Sequence, residues 1–473
     1  MFHKLLSVNL VFGVGALVAC SSAPAPAAKT GQTTTATAGA CVADPAWLTS
    51  AALPTEVANP QAACNFEQFM WQSMLALVQP TANPAILQFE TWMPSYGIFV
   101  KSGVPTPWGT EPPNACAGGT KTTDKPLRLY SDIILQAGAD QPLVDQHREF
   151  VYYGMSINQS GYDMITTCQL YKGNCAGPLK PGNHGIDLIQ NYPNLAFPST
   201  AVELKTSWMV VDDATAAGGK FYVVPGWIQH QSGPCRQVKL GLTGIHIVSK
   251  TPGFPALIWA TFEHRNNAPD CSATSGAPPL GGTWNFFNPG CPSCTLNTFQ
   301  AGTPGQICRM HPNGNSSIGT FPGGADCSVN PNQFACQSKT RAILAESSEA
   351  ITAINQSAQA LIQANAQRIN PVWANYELVG NVWTVGGTVP PYLQAQQGAL
   401  SAANTSMESY VQNGVAAASN PYSCLSCHNM AGPTATQNLP PAGLSHLFDH
   451  VQMPGGCTDG SLPAACAPYT QSH

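Results

Sequence analysis

Two cysteines and a histidine near the end of the chain have the spacing of a haem attachment site. Residues 424–428 read Cys-Leu-Ser-Cys-His, which is the signature of c-type haem. Each thiol can add to one vinyl group of the porphyrin, and the imidazole of the next residue then lies under the iron as proximal ligand. The motif therefore predicts one covalent haem c, held by Cys424 and Cys427, with His428 as the first axial ligand of the iron.

The same cysteine spacing occurs in redox-active pairs and in zinc sites, and both alternatives make further demands. A thioredoxin-like pair requires a βαβ setting, whereas this pair follows a predicted helix and precedes a tail rich in Gly and Pro. A zinc site requires a second pair of ligands at a matching distance, and none is evident beside residues 424–428. Haem attachment is the favoured chemistry, provided that the chain is exported.

A second Cys-x-x-Cys pair lies in the middle of the chain. Cys291 and Cys294 precede Thr rather than His, so they do not form a second haem motif. They belong to residues 266–340, where cysteines occur among Gly, Pro and Asn, and we expect an irregular insertion held by disulfides. A zinc site that combines this pair with Cys308 and His311 stays open as an alternative.

The second axial ligand of the iron must come from outside the motif. Met453 precedes a proline, which resembles the Met-Pro pair that carries the sixth ligand in many small cytochromes c. His246 and His264 lie on predicted strands among apolar residues, as core histidines do, and they are kept as reserve ligands or distal-pocket groups. Methionine or histidine ligation would close the iron and favour electron transfer. An open position would bind peroxide, oxygen or nitric oxide.

The N-terminus has the features of an export signal. Lys4 is followed by an apolar run over residues 5–16 that is too short to span a membrane. Cys20 directly follows Leu-Val-Ala, as in lipoprotein signal sequences, so Cys20 is predicted to carry lipid after removal of residues 1–19. Ser21 then favours the outer membrane, on its periplasmic face or at the cell surface. An ordinary signal peptide cut elsewhere is the alternative.

Cysteine usage and charge agree with an extracytoplasmic protein. The chain has 17 cysteines, which is unusual in a reducing cytosol. Setting aside the lipidated cysteine and the two haem cysteines leaves 14, enough for seven disulfides. Short loops could be closed by Cys168 with Cys175 and by Cys457 with Cys466. The net charge of −5 argues against nucleic acid, so the expected partners are a redox protein and, through the lipid anchor, the membrane.

Hydrophobic periodicity predicts an α+β fold with a β-rich, mainly antiparallel centre. Apolar residues at helical spacing predict a short buried helix over residues 64–78. Residues 201–211 alternate, with Glu203, Lys205 and Ser207 on the polar side, which predicts a half-buried strand. Three more strands follow, joined by connections too short for crossover helices. They are predicted over residues 221–224, 238–248 and 257–262.

Two helices are predicted after the insertion. Residues 341–369 place Ile351, Ile354 and Ile362 on one stripe, which indicates an amphipathic helix. Residues 405–408, Thr-Ser-Met-Glu, match a capping box, so a second helix is predicted from Thr405 to about residue 418. The predicted organisation is a signal peptide at 1–19, a lipidated cysteine with a disordered tether at 20–40, a helix and β-rich domain at 41–265, a disulfide insertion at 266–340, an amphipathic helix and return strand at 341–395, and a helical, cytochrome c-like haem-binding segment at 396–473.

Several stretches are familiar as a set. They read FMWQSMLAL at 69–77, AVELKTSW at 201–208, GLTGIHIVSKT at 241–251, WATFEH at 259–264 and NTSME at 404–408, followed by the haem motif. This set resembles a family of large exported bacterial proteins known as cytochrome c family proteins. The resemblance implies one c-type haem held by Cys424, Cys427 and His428 in a periplasmic or surface protein, and it implies no substrate.

Three functions are compatible with these features. The favoured one is a lipid-anchored monohaem electron carrier. The second is a peroxidase-like or oxygenase-like haem enzyme with an open iron, although most di-haem peroxidases need two haem motifs and this chain has one. The third is a surface ligand-binding protein with a haem sensor, since a carrier alone needs only about 100 residues.

Overall fold

The computed structural model describes most of the chain after residue 40. The described residues are 41–60, 62–100, 103–113, 116, 128–131, 133–138, 140–174, 192, 194–229, 233–310, 348–384, 396–398, 402–412, 424, 428, 441–450, 457–458 and 461–470. The predictions made for Cys20, Cys427 and Met453 lie outside these ranges.

Strands carry most of the described fold. They are β1 (Met93–Pro94), β2 (Arg128–Ser131), β3 (Tyr152–Ile157), β4 (Gly173–Asn174), β5 (Val202–Val211), β6 (Val223–Gln229), β7 (Arg236–Thr251), β8 (Phe254–His264), β9 (Tyr376–Thr384), β10 (Gln396–Gly398) and β11 (Cys457–Thr458). The α-helices of the described part are α1 (Ala63–Leu77), α2 (Ser95–Ile98), α3 (Gln159–Thr167), α4 (Asp213–Ala217) and α5 (Ser348–Ala364).

Nine of the described strands form one sheet. Its main path runs β1-β3-β5-β7-β8-β9-β10, and every neighbouring pair on this path is antiparallel. Strand β6 adds antiparallel to β7, β2 adds parallel to β6, and β4 with β11 forms a separate parallel ladder. The prediction of an α+β fold with a mainly antiparallel central sheet is confirmed.

The first face of the sheet is apolar and lies under α1 and α5. Side chains alternate along a strand, so Leu204, Ile247 and Phe262 share this face and pack with Trp71 of α1 and Ile354 of α5. Burying each such side chain contributes about 1.5–3 kcal/mol. The two helices predicted over residues 64–78 and 341–369 are therefore present and pack on this face, with α5 described from Ser348 onward.

The second face carries polar side chains and is also covered. The alternation places Ser207 on the outer, polar side of β5, yet Ser207 is fully buried. Its hydroxyl lies 2.7 Å from the hydroxyl of Ser406, which belongs to residues 402–412. Glu203 on the same side accepts a hydrogen bond from Ser445, within residues 441–450. We refer to these two ranges as the 402–412 segment and the 441–450 segment.

The predicted helix from Thr405 is not formed within the 402–412 segment, which adopts turns instead. The Glu408 carboxylate returns to a backbone N–H as in a capping box, but the partner is Asn404, at 2.8 Å. The Thr405 hydroxyl donates to Glu263 at the end of β8. Because these side chains find partners on the sheet, they do not cap a helix of their own.

Disulfides in the described chain join both neighbouring and distant positions. The pairs are Cys41–Cys64, Cys116–Cys235, Cys168–Cys466, Cys271–Cys308 and Cys291–Cys294. The short-loop pairings predicted for Cys168 and Cys466 are wrong, since these two residues bond to each other across 298 positions. The bond fixes the C-terminal region beside α3, a contact that sequence proximity could not indicate.

The zinc alternative in the insertion is also wrong. Three of its thiols, those of Cys291, Cys294 and Cys308, are in disulfides, and His311 lies outside the described residues. Within residues 266–310 the backbone forms turns and an isolated bridge between Asp270 and Arg309. Among the described residues, no helix is both long enough and apolar enough to span a membrane.

Candidate functional site

A cavity of about 260 Å³ lies on the second face of the sheet. The 402–412 segment covers one part of this face and the 441–450 segment another, and the haem motif falls between them in the sequence. Both described members of that motif, Cys424 and His428, line the cavity. Its other walls are apolar side chains from three regions, polar side chains from the sheet, and Gln136, Asp140 and Glu408 from outside the sheet. The apolar walls include Leu135, Val248, Trp259, Ala402, Met407 and Val411.

His428 is held in one tautomer by the backbone. Its Nδ1 lies 2.8 Å from the carbonyl oxygen of Leu444, and a carbonyl can only accept, so Nδ1 carries the proton. Burial holds the pKa of His428 well below its ordinary value, and the nearby His446 acts in the same direction. The imidazole is therefore neutral and Nε2 keeps its lone pair, which is the state that a metal ligand needs.

Aromatic rings enclose the His428 imidazole. The ring of Trp259 on β8 lies 4.2 Å from it, and the ring of His446 stacks on it at 3.9 Å, both measured between ring centroids. Trp259 is buried on the second face and forms part of the cavity wall. The histidine of the motif is thus packed against strand β8.

The carbonyl that orients His428 is itself anchored to the sheet. Ser445 follows Leu444 and donates its hydroxyl proton to Glu203 of β5 over 2.7 Å, while it accepts the N–H of Leu447 at 3.1 Å. Burial raises the pKa of Glu203 to about 7, and the Ser445 hydrogen bond offsets only part of this effect. Phe448 adds an apolar anchor by stacking on Phe197.

The 402–412 segment is fixed by buried hydrogen bonds to β8. Asn404 donates its side-chain amide to the Thr261 hydroxyl at 3.0 Å and to the Phe262 carbonyl at 2.8 Å. Glu263 accepts from the backbone N–H of Thr405 and also pairs with the buried guanidinium of Arg309. Arg309 is also paired with Asp270 and Glu377. These contacts connect the insertion, the sheet and the cavity wall.

A row of polar side chains crosses the cavity floor. Strand register places Lys205 of β5 opposite His246 of β7, and His246 opposite Thr261 of β8. Directly paired residues share a face, and all three line the cavity. Glu408 completes the group, with its Oε2 at 3.4 Å from His246 Nε2.

The pKa of Glu408 is lowered although its carboxyl group is buried. Burial raises it, but the charge of His246, whose Nε2 lies 3.4 Å away, the charge of Lys205 and the hydrogen bond from the Asn404 N–H together outweigh burial. Glu408 is therefore a carboxylate that faces two basic side chains. Sequence reasoning placed Lys205 on a polar side and Glu408 in a helix cap, and it assigned neither residue to a site.

The histidine candidates for the sixth ligand separate in the structure. His246 lines the cavity with His428. His264 does not line it and is fully buried between Phe221 and Tyr376. Its Nε2 donates to the Lys220 carbonyl at 3.0 Å and its Nδ1 accepts an N–H at 3.2 Å, while burial lowers its pKa to about 3. His264 is a satisfied core histidine.

The residues present fit a c-type haem. A neutral imidazole with an available Nε2, a cysteine side chain on the same wall, and apolar and aromatic surroundings form the donor set and environment that such a group requires. Comparison with known protein families, curated proteins and solved structures finds no match. The resemblance to exported cytochrome c family proteins therefore stays a sequence-based expectation.

Proposed function

We propose that this chain is an extracytoplasmic monohaem c-type cytochrome that transfers electrons. One observation carries the proposal: within a cavity, the histidine of the Cys-x-x-Cys-His motif has its Nδ1 hydrogen-bonded to Leu444, and Nε2 keeps its lone pair. When bound, the haem would supply one-electron exchange at its iron. Cys424 and Cys427 would hold it through thioethers, and His428 would bind the iron.

The chain contributes orientation and exclusion of water. The Leu444 carbonyl fixes the tautomer of His428, and Glu203 fixes Leu444 through the adjacent Ser445. Trp259 and the apolar walls keep water from the proximal side. A rigid sheet beneath the site limits rearrangement, which suits fast electron exchange.

The proposed setting follows from the N-terminus. Cys20 would anchor the protein to a membrane through lipid, favouring the outer membrane, and the partner would be another redox protein. Replacing Cys20 with Ala should release the protein into the soluble extracytoplasmic fraction. Retention of the variant with the membranes would contradict the anchor and leave the haem proposal unaffected.

The attachment step has a direct test with a control inside the same chain. The double variant Cys424→Ser with Cys427→Ser, produced in a host that matures c-type haem, should show no haem staining on a denaturing gel. The matched control removes the other Cys-x-x-Cys pair, Cys291→Ser with Cys294→Ser, and should keep the stain. Staining that survives in the first variant would overturn the assignment.

A haem enzyme is the second candidate, and one observation favours it. The polar row contributed by Lys205, His246 and Thr261, with Glu408 beside it, places acidic and basic side chains in the same cavity as His428. A carrier with a closed iron has no need of such groups, whereas acid–base chemistry on a bound small molecule does.

A further inference from the structure

The two sides of the cavity are built from neighbouring positions of the same strands. His428 lies against Trp259, and Trp259 pairs with Val248 of β7. His246 lies two residues before Val248 on that strand, on the same face. Two residues of a strand span about 7 Å, so the proximal support and the polar row are separate rows on one rigid surface.

His246 is oriented toward a carboxylate. Its Nε2, the ring nitrogen farther from the backbone, faces Glu408 Oε2 at 3.4 Å, and a carboxylate only accepts hydrogen bonds. Glu408 is held in turn by the N–H of Asn404 at 2.8 Å. His246 Nε2 has no hydrogen-bond partner in the described part of the chain, so it is available to a ligand bound in the cavity, while the nearby Glu408 carboxylate sets the direction of the ring.

The remaining groups of the row define what could bind there. Lys205 adds an ammonium group to the cavity wall, with its Nζ also 5.7 Å from the centre of the Tyr153 ring. Thr261 adds a hydroxyl that accepts from Asn404. Gln136 and the carboxylates of Asp140 and Glu408 also line the cavity, so its polar groups carry both signs of charge. Such a wall suits a small ligand that accepts hydrogen bonds from Lys205 or His246.

We infer that the sixth position of the iron is an exchangeable site for a small ligand of the peroxide or cyanide type, with His246, oriented by Glu408, and Lys205 as its polar wall. The inference rests on the proposed haem. His246 acts on the bound ligand, and Glu408 is a positioning residue that acts through His246. The site would make the protein able to bind a small molecule as well as to exchange electrons.

Cyanide titration of the purified, oxidised holoprotein tests the inference through its visible spectrum. The wild type should be high-spin and should shift on adding cyanide. His246→Ala should keep covalent haem and weaken cyanide binding about tenfold, which is about 1.4 kcal/mol. Glu408→Gln should weaken binding by a smaller factor without changing the haem stain. The control His147→Ala, at an exposed histidine outside the cavity, should match the wild type.

Other outcomes would overturn the inference. A low-spin wild type that ignores cyanide, together with a His246→Ala variant that binds it, would make His246 an iron ligand. A low-spin protein that ignores cyanide in both forms would mean that another residue closes the iron. Equal cyanide affinity of His246→Ala and the wild type would remove His246 from the site. Absence of covalent haem from the wild type would instead refute the proposed function, and the inference with it.

Discussion

The first face of the sheet is closed by two α-helices, whereas the second is closed by the turns of the 402–412 segment and the short 3₁₀ helices of the 441–450 segment, with a cavity of about 260 Å³ beside them. Both faces come from the same strands. On β7, for example, Ile247 belongs to the packed core and His246 and Val248 line the cavity. Successive side chains point to opposite faces. Each strand therefore supplies core packing on the first face and the lining of the cavity on the second.

The two strand histidines illustrate the same division. His264 follows Phe262 at the end of β8 and is fully buried, with both ring nitrogens bonded within the protein. His246 pairs with Thr261, an odd-numbered position of that strand, and reaches the cavity. Side chains alternate along β8, so His264 lies on the packed face and Thr261, the partner of His246, lies on the face that lines the cavity.

The largest expected effect separates the two faces by packing. Ile247→Ala should lower the free energy of unfolding by about 4 kcal/mol, since it empties a fully packed site. The neighbouring Val248→Ala should lower it by only about 1.5 kcal/mol, because that side chain already borders open space. Denaturant unfolding of both variants measures the contrast. Equal losses would show that the second face is packed as tightly as the first.

A smaller loss of stability is expected at the buried ion pair between Glu263 and Arg309 on the second face. Glu263→Gln should reduce stability by about 3 kcal/mol, since it leaves the buried Arg309 with one carboxylate fewer and weakens the hold on Thr405. Asp270→Asn, which changes a more exposed partner of the same arginine, should reduce it by less than about 1 kcal/mol. Thermal unfolding of both variants decides whether the second face depends on this ion cluster.

Counted per pH unit, the smallest effect is a pH dependence that differs between the faces. Glu67 of α1 is fully buried, and burial raises its pKa from 4.5 to about 8. The folded state keeps this proton while the unfolded state loses it, so stability should fall by about 1.4 kcal/mol per pH unit between these two values. Glu67→Gln should remove that slope in denaturant unfolding measured against pH.

Glu203 supplies the matched control on the second face. Its pKa is raised to about 7. The fall in stability caused by Glu203 should therefore be confined to a narrower window, from pH 4.5 to about 7. Glu203→Gln should therefore flatten the profile only below neutral pH. A Glu67→Gln profile that parallels the wild type up to pH 8 would contradict the assignment of a protonated carboxyl beneath the first face.

Local sequence patterns predicted the helices and strands that only need an apolar surface to pack against. The apolar stripe that includes Ile351, Ile354 and Ile362 gave α5, and the alternation of residues 201–211 gave β5, since any hydrophobic surface completes such patterns. The capping-box pattern at Thr405 failed, because its side chains bond to Glu263 and to other groups of the sheet. Local propensity had no information about those partners.

The candidate chemistry follows from local sequence: the spacing of Cys424, Cys427 and His428 predicts haem attachment whatever the fold, since thioether and imidazole geometry depend on local spacing. The distant groups that surround the motif depend instead on the tertiary fold. Lys205, His246 and Glu408 are separated by up to 203 positions, and strand register together with the anchoring of the 402–412 segment brings them into one cavity. Such contacts arise from long-range pairing, which no local pattern encodes.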